Sequence, residues 1–389
     1  MIPLNRRLFI GAAAALGASG SATAKTSGPQ NSGGQQSGQK GEKGWPQQGY
    51  QLPPQRLEDT DTYDNEPNIT VLKNNKLLLI YRRSPTDGGG HVHNDGYIAA
   101  RISNDWGESW SDEIVVADDA DYDTRNQSVI YDQESGRVIV HYRLYDADTG
   151  GGHGEFYRTS ENSGRRWSDP MEVNLEYIAE APAINAPFGG YTHTSNGLMT
   201  QWYGFDEEGN YGVVEALFST DGGQTWGNNV LVGDSTDVDG RVLTEPVPAR
   251  YTDKKLWTFG RDNTTADMFA IQSEDGGMTW GDPVYFNPTN MEDPTPAWFK
   301  RTNANELTVI WGDRTNDAVH VIDASARMAW QDPALLEEEP VSKLAVQMSD
   351  IEADFGYVTF AKTGEDRRHT LVTFYDEDEA PNIWLMSLD

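Results

Sequence analysis

The sequence predicts an all-β protein folded as a six-bladed β-propeller, and two observations support this prediction. An eight-residue phrase that closes on tryptophan recurs at Ser103–Trp110, Ser160–Trp167, Ser219–Trp226 and Ser273–Trp280, with a degenerate fifth copy at Asp323–Trp330. The closing tryptophans are 57, 59, 54 and 50 residues apart, and a period of this size indicates an array of similar supersecondary units. Each period also contains strand-like segments in the same order, which is typical of four-stranded blades repeated around an axis.

The first period shows the elements of one blade. An inner strand is predicted near Asn68–Leu72, followed by an apolar second strand at Lys76–Tyr81. A third strand at Gly96–Ile102 leads into the tryptophan phrase, after which a fourth strand is predicted at Glu113–Ala117.

The last unit, which begins near Phe355, has only three strand-like segments. The segment Tyr50–Leu57 is predicted to supply the missing fourth strand, so that the two ends of one domain close the ring. Residues 47–389 are therefore assigned to the propeller.

Two segments precede this domain. Residues 1–24 contain the pair Arg6 and Arg7, an apolar stretch and a small-residue end, which predicts a signal peptide of the twin-arginine type. Residues 25–46 are rich in Gly, Ser and Gln and are predicted to be a flexible leader. We therefore expect a secreted, extracellular protein.

The composition limits the classes of partner. With 61 acidic and 30 basic residues, the chain has a formal net charge of -31 at pH 7, which argues against nucleic-acid and anionic-membrane partners. Such a surface suits a protein kept soluble at high salt, where charge repulsion is screened, and we infer a halophilic source. The chain has no cysteine, so disulfides and thiolate metal sites are excluded. We predict no cofactor, no metal, no membrane insertion and a monomer.

Arginines recur where the second strands end. Arg82, Arg143, Arg261 and Arg314 stand there in four periods. Because neighbouring strands of a blade run in opposite directions, the ends of second strands and the starts of first strands share one rim, and the tryptophan phrases lie on the other. Converging guanidinium groups favour an anion such as a carboxylate. The alternative is that each arginine pairs with an acidic neighbour from the next blade.

The starts of the inner strands add carboxylates to the same rim. In chain order, the residues at these starts are Glu66, Arg125, Glu180, Glu245, Asp293 and Tyr357. Some of these carboxylates are expected to neutralise the arginines. This rim is therefore where the sequence predicts a functional site.

The tryptophan phrase resembles the Asp box of the sialidase superfamily and of other BNR-repeat proteins. We interpret the phrase as structural: the Asp or Asn side chain bonds turn backbone, and glycine takes a left-handed conformation. Its tryptophan is expected to pack between the third and fourth strands. Four good copies favour the sialidase-like propeller, but non-enzymatic propellers also carry Asp boxes.

The later blades resemble exo-sialidases residue by residue. Glu245, Arg261 and the box at Ser273–Trp280 follow one another as in that family, Arg314 matches its next arginine, and Tyr357 matches the tyrosine that begins its last blade. The resemblance implies a retaining glycosidase that releases terminal sialic acid or a related acidic sugar. Tyr357 would be the nucleophile, Glu245 the base that polarises it, and Arg261 with Arg314 ligands of the substrate carboxylate.

Two parts of the implied site remain open. The acid/base aspartate of the family falls in the loop after the second strand of the first blade, where Asp95 fits best and Asp87 is a rival. The family's first arginine, in a Phe-Arg-Ile-Pro phrase, is missing, because the corresponding stretch is Tyr63–Pro67. The residues that could replace it from nearby are Arg82, Arg83, Arg125 and Arg143.

Three histidines keep other functions open. His91, His93 and His193 lie in or near polar loops. A His-Tyr-Arg group on a propeller would suit β-elimination of a uronic acid, so one alternative is a polysaccharide lyase in which His91 or His193 adjoins a tyrosine. Otherwise these histidines are hydrogen-bond partners in their loops. The other alternative is a non-catalytic propeller that binds acidic glycans, because a fold does not determine a function.

Overall fold

Six four-stranded antiparallel sheets make up the protein in a computed structural model. The structure describes residues 55–57, 61–85, 91–180, 182–235, 240–288, 295–302, 305–314, 318–339, 343–347, 355–363, 369–376 and 382–388. The predicted signal peptide and leader lie outside these residues, as do Asp87 and Asp293. The prediction of an all-β, six-bladed β-propeller is confirmed.

The described part of the chain begins with the short strand β1 Gln55–Arg56 and then enters three blades in sequence order. The first blade comprises β2 Thr62–Val71, β3 Leu77–Pro85, β4 Tyr97–Ser103 and β5 Ile114–Ala117, with a 3₁₀ turn at Lys73–Asn75. The second comprises β6 Asp123–Asp132, β7 Arg137–Asp146, β8 Gly151–Ser160 and β9 Met171–Glu172. The third comprises β10 Ala186–Thr194, β11 Gly197–Phe205, β12 Tyr211–Ser219 and β13 Gly227–Gly233.

The last three blades differ from one another in their outer parts. The fourth comprises β14 Leu243–Arg250, β15 Leu256–Asp262, β16 Met268–Ser273 and β17 Val284–Phe286. The fifth comprises β18 Trp298–Arg301, β19 Glu306–Asp313, β20 Ala318–Ser325 and β21 Lys343–Gln347, with the helix α1 Ala326–Gln331 and a 3₁₀ turn Pro333–Glu337 before β21. The sixth comprises β22 Phe355–Thr363, β23 His369–Asp376 and β24 Asn382–Leu388.

The N-terminal strand closes the ring. In β1, Gln55 pairs with Leu385 and Arg56 with Trp384 of β24, so β1 is the outer strand of the sixth blade. The Arg56 guanidinium also lies 5.2 Å from the centroid of the Trp384 ring. The predicted closure is confirmed, and it joins the two ends of the domain in one sheet.

The second strands form the most buried layer of the blades. Leu77, Leu79 and Tyr81 of β3 have no exposed surface, and Trp257 and Trp311 on the second strands of the fourth and fifth blades are equally buried. A strand covered on both faces by neighbouring sheets requires a continuous apolar run, as the sequence has there. This layer holds the inner strands and their side chains in place.

The complete Asp boxes make the local contacts predicted for them. In the third box, Ser219 Oγ accepts a hydrogen bond from the backbone N–H of Gly223 at 2.8 Å, and Asp221 Oδ1 accepts one from Thr225 at 3.0 Å. Gly222 and Gly223 have φ of 69° and 80°, a conformation that glycine adopts without strain.

The boxes also join neighbouring blades. A Cβ at Gly223 would lie 2.1 Å from Ile139 of the second blade, so the glycine permits a close approach. The Trp226 ring lies 4.7 Å from the His141 ring and 5.9 Å from the Tyr191 ring, measured between centroids. This tryptophan therefore packs against the preceding blade as well as its own, and not merely between two strands of one blade as predicted.

The fifth copy of the phrase is not an Asp box. Its last five residues belong to α1, Ala326–Gln331, and the Ser325 side chain caps the helix by accepting from the backbone N–H of Met328. The segment lacks glycine for the left-handed positions and is rich in the helix formers Ala, Arg and Met. Trp330 nevertheless stacks on Tyr251 of the fourth blade, 5.4 Å between centroids. Among the described residues, no helix combines the length and the apolar character needed to cross a membrane.

Candidate active site

Bulges in the inner strands place polar side chains at the axis of the propeller. The register shifts at equivalent places in β2, β6, β10, β14 and β22. Non-glycine residues in these bulges have positive φ: 52° at Glu66, 52° at Asn126, 54° at Glu245 and 47° at Tyr357. A bulge re-aims a side chain, and backbone of this kind costs about 1–3 kcal/mol per residue and clusters at functional sites.

Tyr357 and Glu245, from the inner strands of the sixth and fourth blades, form a hydrogen bond. Tyr357 Oη lies 3.0 Å from Glu245 Oε1. Arg261 Nε lies 2.9 Å from the other carboxylate oxygen, Oε2, as an ion pair outside hydrogen-bond geometry. The Glu245 side chain is only 4 % exposed, so water does not compete for the carboxylate. Glu245 is thus positioned to take the hydroxyl proton of Tyr357.

The Tyr357 hydroxyl is neutral at ordinary pH. Burial raises the pKa of Tyr357 well above its usual 10.0, and the negative charges of Glu245 and Glu66 raise it further, while Arg261 and Arg314 act in the opposite sense. Its oxygen therefore becomes anionic only as it transfers its proton.

The backbone and aromatic neighbours fix the position of Tyr357. Gly356 precedes it with φ of 135°, and a Cβ on Gly356 would lie 2.1 Å from the Thr295 side chain. The Phe188 ring meets the Tyr357 ring edge to face at 5.7 Å, and the Tyr375 ring lies 5.8 Å away, between centroids. The tyrosine is therefore held between the third blade and its own.

Glu66 and Arg125 form a second buried ion pair beside Tyr357. Arg125 Nη2 lies 3.1 Å from Glu66 Oε1, and Glu66 Oε2 accepts from the Asn126 backbone N–H at 2.8 Å. Burial alone would raise the pKa of Glu66, but the charges of Arg125, Arg82 and His91 and the bond from the Asn126 N–H together outweigh it, and the pKa is lowered. Glu66, Asn126, Phe188 and Tyr357 line one narrow pocket, so the carboxylate of this pair and the nucleophile candidate share a cavity.

Arg143 reaches the same region with part of its guanidinium unpaired. Its Nε donates to Asn126 Oδ1 at 2.6 Å, and its guanidinium carbon lies 5.0 Å from the centroid of the Tyr145 ring. Nη1 is buried and has no hydrogen-bond partner among the described residues. Burial lowers the pKa of Arg143, and the positive charge of Arg125 lowers it further. A buried cation of this kind is stabilised by an anionic ligand.

The arginines at the ends of the second strands occupy two different positions. Arg82, Arg143 and Arg261 each lie opposite the residue that precedes the bulge. In the fifth blade, Gly312 takes this place, opposite Thr295, and Arg314 follows two residues later. The prediction of one shared position is thus wrong for Arg314. Its charge nevertheless affects the pKa values of Tyr357 and Arg261, so it belongs to the same cluster.

Arg82 does not lie where a substrate could reach it. It is completely buried, with Nε 2.7 Å and Nη2 3.0 Å from the two carboxylate oxygens of Asp123, and with Nη1 donating to Ser84. A Cβ on Gly96 would lie 2.1 Å from Asp123 Oδ1, so only glycine permits this approach. Because Asp123 belongs to the second blade, the alternative interpretation of the arginines, pairing across blades, holds for Arg82.

Asp95 is not among the residues that line the pocket of Tyr357 and Glu66. The Asp95 side chain is 75 % exposed, 3.8 Å from His93 Nδ1, and it lines a separate depression with Arg83 and Tyr97. His193 pairs with Asp132 at 3.3 Å. Glu180 precedes the inner strand β10 rather than starting it.

The sequence analysis missed two groups near the site. Asn126, rather than Arg125, occupies the bulge of the second blade. An alignment of the second blade with the fourth, in which Asn126 corresponds to Glu245, could have revealed this. Asp123, the partner of Arg82, gave no signal beyond its charge. The expectation that His91 or His193 adjoins a tyrosine is met at His91, whose Nδ1 lies 3.1 Å from Oη of Tyr63; the two residues are 28 apart in the sequence, so no local signal identified that tyrosine. Among the described residues, no group of three or more His, Asp or Glu could hold a metal ion.

The repeated phrase and the propeller fold agree with the protein family whose model matches this sequence. A family model described as BNR repeat-like domain matches residues 75–367, most of the chain. This chain belongs to that family. The assignment to the sialidase-like BNR-repeat superfamily is thereby confirmed, although no curated protein is significantly similar to the chain in sequence.

Several solved structures, sialidases among them, share the fold at low identity. A protein of unknown function from Dyadobacter fermentans has a TM-score of 0.71 at 17% identity, over 86% of this chain and 99% of that one. The NanB sialidase of Streptococcus pneumoniae has 0.65 at 13%, over 84% and 68%. The intramolecular trans-sialidase of Ruminococcus gnavus has 0.63 at 12%, over 84% and 94%. At such identities the likeness shows the fold alone.

Proposed function

We propose that this BNR-repeat protein is a sialidase-like glycoside hydrolase that releases terminal sialic acid or a related acidic sugar with retention of configuration. The observation that carries the proposal is the pairing of Tyr357 Oη with Glu245 Oε1 at 3.0 Å, with Arg261 2.9 Å from the second carboxylate oxygen. A hydroxyl, a base and a guanidinium thus meet in one buried cluster at the axis.

Each member of this cluster has a chemical role. Glu245 takes the hydroxyl proton as the Tyr357 oxygen bonds to the anomeric carbon, and a neutral nucleophile is not repelled by a sugar carboxylate. Arg261 and Arg314 hold that carboxylate. Arg143, with Nη1 unpaired among the described residues, stands in for the arginine that this sequence lacks at Tyr63–Pro67.

The direct test is hydrolysis of a fluorogenic aryl sialoside, measured in low and in molar salt. Tyr357→Phe is expected to reduce turnover by at least about 10³-fold, since the bond-forming oxygen is removed. Proton NMR of the first-released anomer should show retention. No hydrolysis by the unaltered protein in either salt range would contradict the proposal, and glycan binding without hydrolysis would favour the non-catalytic alternative.

A uronate lyase is the second candidate, favoured by the contact between Tyr63 and His91, 3.1 Å. In this alternative one member of the histidine–tyrosine pair takes the proton from the carbon α to the uronate carboxylate. The C–O bond at the β carbon then breaks, and the other member protonates the leaving glycosidic oxygen. Digestion of an acidic polysaccharide would then yield an unsaturated uronate, detected by its ultraviolet absorbance. Hydrolysis of sialosides without such a product would exclude it.

We also propose that the protein is exported by the twin-arginine route and works at high salt. Arg6 and Arg7 within residues 1–24, together with the net charge of -31, support this. Replacing both arginines with lysine should retain the protein inside the producing cell, as followed by immunoblotting of cell and medium fractions. Equal export of both forms would contradict it.

A further inference from the structure

His91 lies beside the candidate active site in a contact that the proposed function does not use. Its Nδ1 lies 3.1 Å from Tyr63 Oη, and the two rings meet edge to face with centroids 6.0 Å apart. Tyr63 is only 5% exposed, and His91 is half-buried. A largely buried partner holds an imidazole in one orientation, which is what a proton-transferring histidine needs.

Arg125 ties His91 to the pocket of Tyr357. Arg125 Nη1 donates to the His91 backbone carbonyl at 3.0 Å, while Nη2 lies 3.1 Å from Glu66 Oε1. Glu66 lines the pocket together with Tyr357. One guanidinium therefore bridges the loop of His91 and a wall of the nucleophile's cavity, whereas Asp95, with 75 % of its side chain exposed, lines a different depression.

From this placement we infer that His91 is the general acid and base of the glycosidase, with Tyr63 as its positioning residue. The inference rests on the proposed function. In the tautomer that proton transfer requires, Nδ1–H donates to the Tyr63 oxygen and Nε2 exchanges the proton. His91, rather than Asp95, then protonates the leaving oxygen.

The reaction balances with these groups alone. As the Tyr357 oxygen bonds to the anomeric carbon, the glycosidic C–O bond breaks, the leaving oxygen takes the proton of the His91 imidazolium, and Glu245 takes the Tyr357 proton. Water then attacks the anomeric carbon and gives a proton to His91. The bond to Tyr357 breaks, and Glu245 returns its proton to the phenolic oxygen.

The test compares two substrates that differ in their need for an acid. A fluorogenic aryl sialoside has a stable phenolate as its leaving group, whereas sialyllactose has a sugar alkoxide that must be protonated. His91→Asn should lower kcat/KM for sialyllactose by about 10²–10⁴-fold and for the aryl sialoside by less than about tenfold. Tyr63→Phe should show a smaller loss with the same bias between substrates, and a shifted pH profile, as a positioning residue would.

His93→Asn is the matched control from the same loop and should leave both substrates unaffected. Equal losses on both substrates for His91→Asn would indicate a purely structural role, and no loss on either would exclude His91; either result overturns the inference. A selective loss in Asp95→Asn instead would also overturn it, by making Asp95 the acid. If the unaltered protein cleaves neither substrate, the proposed function fails and the inference with it. Thermal unfolding of each variant shows whether the fold is kept.

Discussion

Glu66 in the first blade and Glu245 in the fourth have the same local structure and different partners. Each precedes a proline, occupies the bulge of its inner strand with φ of 52° and 54°, and is about equally buried, at 5% and 3%. Glu66 is held by Arg125 and by the backbone N–H of Asn126, whereas Glu245 meets the Tyr357 hydroxyl and Arg261. The bulge brings a carboxylate to the axis, and the facing blades decide what it does there.

The largest expected effect is on the free energy of unfolding, through the buried ion pairs that join the first two blades. Asp123 neutralises Arg82 and lies 3.4 Å from Arg125. Asp123→Asn leaves the buried Arg82 guanidinium without its carboxylate and removes one of the two carboxylates near Arg125. This should lower the free energy of unfolding by about 3–5 kcal/mol. Urea unfolding measures this change, and Asp253→Asn, which breaks an exposed pair with Arg250, should change the free energy of unfolding by no more than ~0.5 kcal/mol. Equal effects would mean that the first two blades do not depend on this pair.

The next effect is a difference in kcat between variants of Glu245 and Glu66. Glu245→Gln keeps the shape but loses the base, so kcat should fall by about 10²–10⁴-fold. Glu66→Gln should lower kcat by less than about tenfold and act chiefly on the free energy of unfolding, because it removes the nearer of the two carboxylates that neutralise Arg125. Steady-state kinetics and urea unfolding of both variants measure the split. A comparable fall in kcat for both would show that the two positions are chemically alike.

A smaller effect is a pH dependence of the free energy of unfolding that the second blade should have and the fourth should not. His141 and Phe259 both lie two residues before an arginine that faces a bulge, in the second and fourth blades. Burial lowers the pKa of His141 from 6.5 to about 3. Below pH 6.5, His141 therefore binds a proton in the unfolded chain but not in the folded chain. As a result, the free energy of unfolding falls by ~2 kcal/mol by pH 5.

His141→Phe, which copies the fourth blade, should remove that part of the pH dependence. Urea unfolding at pH 7.5 and at pH 5 measures it for both proteins. The parent should lose about 2 kcal/mol more between the two conditions than the variant. An unchanged pH dependence would mean that another group carries it.

The smallest effect tests whether Arg143 takes part in substrate binding. Arg143→Gln keeps a donor to Asn126 but removes the charge, and KM should rise about tenfold, or ~1.4 kcal/mol of binding, with a smaller change in kcat. Arg137→Gln is a control of the same type, because Arg137 pairs with exposed Glu161 and lies where β7 begins, away from the bulge. A KM unchanged by Arg143→Gln would remove Arg143 from the site.

Sequence and structure agree best where the physics is local or repeated. The Asp boxes were readable because Ser219, Asp221 and Gly223 contact one another within a few residues, and the second strands because Lys76–Tyr81 is a continuous apolar run. Asp323–Trp330 was read as a fifth, degenerate copy of the phrase, but it does not form an Asp box. Its tryptophan still stacks on the neighbouring blade, whereas the absence of glycine allows a helix to form. The match of Glu245 to Tyr357 came from resemblance to a family, since nothing local links residues 112 apart.

By itself, the sequence determined the propeller, its closure by the N-terminal strand and the rim that carries the polar residues, because repeat period and strand alternation are properties of the chain. Only the tertiary structure decided which carboxylate meets which cation: that Arg82 is neutralised by Asp123, that Glu66 is held by Arg125, and that His91 rests on Tyr63. The physical reason is that these pairs join separate strands or loops, and in all but one of them separate blades. The energy of a buried charge depends on the groups that surround it in space and not on its neighbours in sequence.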